Sequence, residues 1–285
     1  MLSIVVFNVE LGQSILFLPE GAPEYAMLVD CGNTPYFEPV NFFYDILAPN
    51  PGDSNHRLLG NLTITNYDED HFSGLPYLLK KVFIKTVSLS NNLSVDDIRA
   101  VKQEITEPIK ELCHLKRTYT NPATNYNPPF TKTIFSLTKQ DFASDNWDTN
   151  KLSQLVFVSY CDSTICIPGD LLKESWDILL QRTPVREALK KTNVFVAPHH
   201  GREDGYNANV FLYCKPDCII ISDKSKIHST QENMTTKYAG HVAGNGVSFQ
   251  SDKNNPRRVL TSRADGTIFI LFLQNGARLY DNFKR

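Results

Sequence analysis

The chain has no C-x-x-C pair, no surplus of positive charge and no apolar run near the ~18 residues that a membrane helix needs. Six cysteines occur, most of them in apolar contexts such as Cys218-Ile219-Ile220-Ile221. They read as buried free thiols of a reducing cytoplasm and not as a disulfide framework. Cys161 and Cys166 could flank a hairpin and are the best-placed pair for a bridge. A net charge of -2 excludes an overall basic field for nucleic acid, though a local basic groove would survive such a sum. The opening Met1-Leu2-Ser3-Ile4-Val5-Val6-Phe7 lacks a basic start and a small-residue cleavage site, so it reads as a strand and not as a signal peptide. Short repeats and low-complexity tracts are absent too. The expectation is a soluble, cytoplasmic protein without membrane contact.

What is present suits a globular enzyme. With 285 residues, 41% hydrophobic and 21% charged, the chain can bury a full core. Strands Ser3–Val9, Ser14–Leu18 and Ala26–Val29 form a meander ending at Asp30-Cys31-Gly32. Tyr36–Leu47 holds a short helix, and Pro49–Asp53 is a loop. Leu62–Thr65 is a strand, and a helix follows from about Ser73 to Lys81. Ser94-Val95-Asp96-Asp97 resembles a capping box leading into Ile98–Leu112, whose apolar residues recur at helical period around an internal Pro108. From Leu115 to Asn150 the chain is rich in Thr, Asn and Pro and reads as a surface excursion or variable loop.

The second half repeats the theme. A hairpin Leu155–Tyr160/Thr164–Ile167 precedes a helix Leu171–Arg182. Strand Val194–Ala197, short helix Asn207–Tyr213, strand Cys218–Ser222 and helix Thr230–Tyr238 follow. Val259–Thr261 and Thr267–Leu273 close a last hairpin around Asp265-Gly266. Strands and then strand–helix units, given twice, predict an α/β protein: an αββα sandwich of two packed mixed sheets with helices outside. The boundary drawn is one domain over 1–285, with a loop or helix excursion at about 94–150.

The chemistry concentrates in Ile64-Thr65-Asn66-Tyr67-Asp68-Glu69-Asp70-His71-Phe72-Ser73-Gly74-Leu75. Two aspartates and an imidazole fall within four residues after an apolar run. Metal ions that activate water need such oxygen and nitrogen ligands at the end of a rigid element. Downstream come Pro168-Gly169-Asp170, Pro198-His199-His200-Gly201 and His228. Ordinary roles compete: Asp68 and Asp70 could cap the next helix, and Asp170 could cap Leu171–Arg182. Adjacent histidines cannot point the same way from an extended segment. One of His199 and His200 is therefore expected as a ligand, while the other supports substrate or packs. His241 rivals His228. His56 and His114 have no motif around them.

These pieces, in this order, resemble the metallo-β-lactamase-fold hydrolases. The resemblance points to the branch containing the hydrolase domain of ComEC-type DNA-uptake channels and the phosphorylcholine esterases. The branch shows H-x-D-x-D-H where this chain has Asn66-Tyr67-Asp68-Glu69-Asp70-His71. Asp30-Cys31-Gly32 matches its D-x-G, Asn150-Lys151-Leu152-Ser153 its N-x-x-S, and Gly169-Asp170 its G-D. His199-His200-Gly201 matches its H-H-G, and Arg263-Ala264-Asp265-Gly266-Thr267-Ile268 its R-x-D-G-x-I. The resemblance implies two adjacent metal positions. One would use Asn66, Asp68, His199 or His200, and Asp170. The other would use Asp70, His71, a bridging Asp170 and His228. Asn66 departs from the family's histidine. A neutral amide oxygen would weaken that position or shift it from zinc toward manganese or magnesium, so one or two divalent ions are expected. Asn66 could also bind a water or mark decayed catalysis.

The implied activity is metal-dependent hydrolysis of a phosphodiester, in a nucleic acid or a nucleotide, by a phosphodiesterase or nuclease. Asp70 would orient the nucleophile, and whichever of His199, His200 and His228 is not a ligand would protonate the leaving group. Arg202 could clamp a phosphate or simply face solvent. Two alternatives stand beside this reading: a degenerate fold with a binding or regulatory role, toward partner proteins, and a hydrolase of small esters or lactones.

Overall fold

The computed structural model describes residues 1–53, 55–123, 126–143, 146–224 and 230–284, with the side chains of 230–232 left aside. Two β-sheets pack face to face. The larger runs, in spatial order, Asp252–Arg257, Val247–Phe249, Arg278–Phe283, Thr267–Phe272, Leu2–Val6, Ser14–Pro19, Met27–Cys31, Arg57–Thr63 and Ala48–Pro49, and Val82–Ser88 also pairs with Arg57–Thr63. The smaller runs Val259–Thr261, Cys218–Ile221, Val194–Val196, Ser163–Ile167, Leu155–Tyr160 and Thr131–Phe135. Both sheets are mixed, with parallel pairs beside antiparallel ones.

Strand periodicity builds the layers. Leu2, Ile4 and Val6 join Val156, Val158, Ile165 and Ile220 in one apolar cluster between the sheets. Val5, Phe7, Leu16 and Leu28 point the other way, to Val40 and Phe43 of the short helix Pro39–Phe43. On the far side Phe157, Phe195 and Ile219 pack with Trp176, Leu179, Val185 and Leu189 of helices Lys173–Leu179 and Thr183–Lys190. Because successive side chains alternate, central strands such as Met27–Cys31, Ser163–Ile167 and Cys218–Ile221 bury both faces, one against the other sheet and one against helices. Edge strands such as Thr131–Phe135 and Asp252–Arg257 keep exposed positions. No helix among the described residues is long and apolar enough to cross a membrane.

Proline sets where several helices begin. It stands in the first turn of Pro39–Phe43, Leu75–Leu79, Glu107–Thr118 and Thr183–Lys190. Its missing N–H is an orphan there in any case. The expected helix through Pro108 is therefore two: Val95–Ala100, opened by the Ser94/Asp97 capping box, and Glu107–Thr118. Leu171–Arg182 holds the shorter helix Lys173–Leu179, and a second helix that the sequence reading lacked, Thr183–Lys190, follows it, opened by Thr183-Pro184.

Other expectations need correction. Val259–Thr261 and Thr267–Phe272 do not form a hairpin; they lie in different sheets, joined by the helical turn Ser262–Asp265. Thr267–Phe272 instead pairs with Leu2–Val6 and with Arg278–Phe283, a strand the hydrophobic pattern hid. The Thr/Asn/Pro-rich excursion contains the edge strand Thr131–Phe135. Cys161 and Cys166 are both free thiols. Tyr160 pairs with Ser163, which leaves Cys161 in the turn and Cys166 farther along the returning strand.

Candidate metal centre

His71 sits at the centre, and Asp30 aims it. Met27–Cys31 runs parallel to Arg57–Thr63 with Val29 opposite Thr63, so Asp30 emerges beside Thr65. Asp30 has a left-handed backbone with φ 56, a region that Asp tolerates better than most residues. Its carboxylate accepts from Thr65 N at 2.7 Å, Thr65 Oγ1 at 2.6 Å and Gln13 Nε2 at 2.8 Å. His71 Nδ1 lies 2.8 Å from Asp30 Oδ2, and both side chains are wholly buried. A carboxylate on one ring nitrogen fixes the tautomer and the ring direction. The other nitrogen, Nε2, then faces Asp170. Gly32 makes the approach possible, because a Cβ there would stand 2.3 Å from the Asp70 carbonyl oxygen.

Asp170 arrives from the smaller sheet. It follows strand Ser163–Ile167 and Gly169, whose φ of 55 suits glycine and whose Cβ would meet Thr65 Oγ1 at 2.7 Å. Helix Lys173–Leu179 is flanked by Leu172 and not by Asp170, so Asp170 is no cap. Its Oδ1 lies 3.0 Å from His71 Nε2 and 3.6 Å from His200 Nε2. His200 Nε2 is also 3.0 Å from Asp70 Oδ2. One ligand atom from each of Asp70, His71, Asp170 and His200 lies within 4.8 Å of all the others.

The donor set fits a divalent cation. His71 Nε2 is buried and makes no hydrogen bond; Asp170 Oδ1 is near enough, but the directions do not form one. Two donors on one ion, each at ~2.0–2.2 Å, stand on the order of 3 Å apart. Electrostatics agree. Burial alone would lower the His71 pKa, but the carboxylates of Asp170 and Asp30 outweigh it and hold it well above the usual imidazole range. Burial would raise Asp170 and Asp70; the neighbouring imidazoles instead hold both carboxyls below the ordinary range.

The tandem histidines separate by a backbone device that the sequence did not reveal. His199 (φ 48, ψ 47) and His200 (φ 54, ψ 30) are both left-handed, which is costly for non-glycine residues and typical of functional turns. The turn sends His200 into the cluster and His199 away from it. His199 Nδ1 donates to Asp204 Oδ1 at 2.8 Å, and its Nε2 accepts from Arg202 Nη1 at 3.0 Å.

Two more candidates have partners other than the cluster residues. Asn66 donates through Nδ2 to Asn150 Oδ1 at 2.6 Å and accepts at Oδ1 from Asp68 N at 2.9 Å. Asp68 Oδ1 is held by Lys102 Nζ at 2.8 Å and by Thr149 Oγ1 at 2.7 Å. His228 lies outside the described residues. His241 stacks on Phe211 with centroids 4.1 Å apart and bonds to Tyr206 Oη at 2.7 Å. His56 pairs with Asp53, and His114 faces solvent. Asp30 is the residue whose place at the centre the sequence reading missed; its signal was the D-x-G at a strand end.

This architecture is the metallo-β-lactamase fold. The chain superposes on the metallo-β-lactamase-fold protein YhfI of Bacillus subtilis with a TM-score of 0.50 and 13% identity, over 94% of this chain and 99% of that one. Unliganded yeast PDE1 aligns over 92% of this chain and 98% of its own, with 13% identity and a TM-score of 0.47. No protein-family model and no curated protein sequence matches the chain.

Proposed function

We propose that the protein is a metal-dependent hydrolase of phosphodiesters, of the phosphodiesterase or nuclease class. The observation that carries the reading is the convergence of Asp70, His71, Asp170 and His200 on one point, with the buried Nε2 of His71 left unbonded. Those four side chains would hold a divalent ion, which when bound supplies Lewis acidity toward water and substrate. Asp30 keeps His71 pointed inward. Asp70, the most exposed of the four, faces the open side and would orient the attacking water. His199 has its tautomer set by Asp204, so its Nε2 is the ring atom free to exchange a proton once Arg202 turns to a substrate. Arg202 is exposed beside that ring, where its guanidinium would meet a phosphate. The motif order supports a phosphodiester over an ester or lactone.

The test is turnover of bis(p-nitrophenyl) phosphate, single-stranded DNA, RNA and cyclic nucleotides by purified protein with manganese, magnesium or zinc. Activity that needs the metal and disappears in His71→Ala is the expected result. Inactivity with every ion and substrate counts against the proposal. The bonding of Asn66 to Asn150 favours a second reading, a fold repurposed for binding. Asn66→His combined with Lys102→Ala separates the two: raised hydrolysis marks an enzyme, and inactivity of both the wild type and the double variant marks the repurposed scaffold.

A further inference from the structure

Seven candidate ligands lie in the described segments: Asn66, Asp68, Asp70 and His71 after a strand of the larger sheet, and Asp170, His199 and His200 after strands of the smaller one. Three of them are held by partners outside the cluster of Asp70, His71, Asp170 and His200. Asn66 has both ends of its amide engaged, at 2.6 Å and 2.9 Å. His199 has both ring nitrogens engaged, by Asp204 and Arg202. Asp68 is neutralised by Lys102, whose side chain is only 16% exposed.

Lys102 does not reach Asp68 by chance of surface mobility. It lies in the link between helices Val95–Ala100 and Glu107–Thr118. The same link is fastened to the same motif a second time, because Thr106 Oγ1 donates to Glu69 Oε2 at 2.8 Å. Thr149 Oγ1 reaches Asp68 from a third segment. Charge then divides cleanly. A sheltered carboxylate needs a partner cation. Lys102 answers Asp68, and Asp30 is answered by His71 Nδ1 and three further donors from Gln13 and Thr65, which leaves Asp70 and Asp170 to balance one divalent ion.

We propose that the site takes a single divalent cation, at Asp70, His71, Asp170 and His200, and that the Lys102 ammonium stands where Asp68 would otherwise help hold a second. The proposal rests on the metal-dependent reading above and narrows it to one ion. Lys102 is then a resident cation of the site, delivered by the helical pair that the sequence marked as an excursion.

Counting ions tests this without reference to turnover. The protein is stripped with a chelator, loaded with excess zinc or manganese, desalted and measured by elemental analysis. One ion per chain is expected. Two per chain would overturn the single-cation proposal while leaving the metal-dependent reading intact; none would overturn the metal-dependent reading itself. Asn66→His should remain at one ion, since Lys102 still covers Asp68. Asn66→His combined with Lys102→Ala should rise to two. A second ion in Asn66→His alone, or a folded double variant that stays at one, would each refute the role given to Lys102. The counts on the wild type and on Asn66→His keep the test decisive if the double variant does not fold.

Discussion

Two buried polar clusters lie beside the strand Arg57–Thr63 and its continuation, and they differ in one respect. At Lys132, the ammonium donates to Asn61 Oδ1 at 2.8 Å, Thr63 Oγ1 at 3.0 Å and Ser88 Oγ at 2.7 Å. An ammonium has three protons to donate, and three neutral oxygens take them. At His71 the balance is open. Carboxylates gather on both sides of the ring, and its Nε2 has no hydrogen bond. A network whose donors and acceptors match one another is structure. A network with surplus negative charge and an unmatched nitrogen offers donors that a cation could take.

The largest effect should come from removing charge at the open cluster. Asp170→Asn keeps the shape and deletes the carboxylate that lies nearest both His71 and His200. Altering a supporting residue of a metal site costs ~10–100-fold, so losing a direct ligand should exceed ~100-fold in metal affinity and turnover. Titration with a chromophoric chelator would measure it. Retained affinity would mean that the cluster is as closed as the one at Lys132.

The closed cluster should declare itself through pH instead. Burial lowers the Lys132 pKa to about 8. An unfolded lysine titrates near ~10.4. Below about pH 8 both states carry the proton, and the folded state bears the full cost of burying the charge. Between about pH 8 and ~10.4 the unfolded state binds more protons than the folded one, so this lysine's contribution to stability rises with pH. At ~1.4 kcal/mol per unit the rise is on the order of 3 kcal/mol. Other groups titrate in the same window, so the measurement is the difference between wild type and Lys132→Met in urea unfolding across pH 7 to 11. The wild type should gain on the variant as pH rises. Parallel curves would show that the ammonium is not desolvated as described.

Much of this was legible in the sequence. The apolar stretch read as the strand Ser3–Val9, the capping box at Ser94 and the apolar run before Asp68 each act locally, so composition and spacing expose them. Asp70, His71, Asp170 and the undecided pair His199/His200 were named for the same reason: each follows a strand within several residues. Three things were not legible. The left-handed turn that parts His199 from His200 is fixed by tertiary contacts, among them His199 N donating to Gly169 O at 3.1 Å. The diversion of Asp68 depends on Lys102, 34 residues farther along the chain. The strand Arg278–Phe283 carries Arg278, Asp281 and Asn282 among its apolar residues, and pairing with Thr267–Phe272 rather than hydrophobicity defines it.

The smallest expected effect lies at the boundary between the two kinds of cluster. Asp30 is a closed element inside the open one: four donors meet its two oxygens, and His71 is one of them. Asp30→Asn preserves volume but turns an acceptor oxygen into an NH2 facing a donor. Either Thr65 or Gln13 loses its partner, or the His71 ring loses the carboxylate that aims it. The ring stays buried in every case, so the fold should survive while the direction of Nε2 slackens. Metal affinity should fall by ~10–100-fold, less than for Asp170→Asn. Far-ultraviolet circular dichroism should be unchanged. If Asp30→Asn instead unfolds the protein and leaves the affinity of the folded fraction intact, Asp30 belongs with Lys132 as structure, and the aim of His71 is set by packing alone.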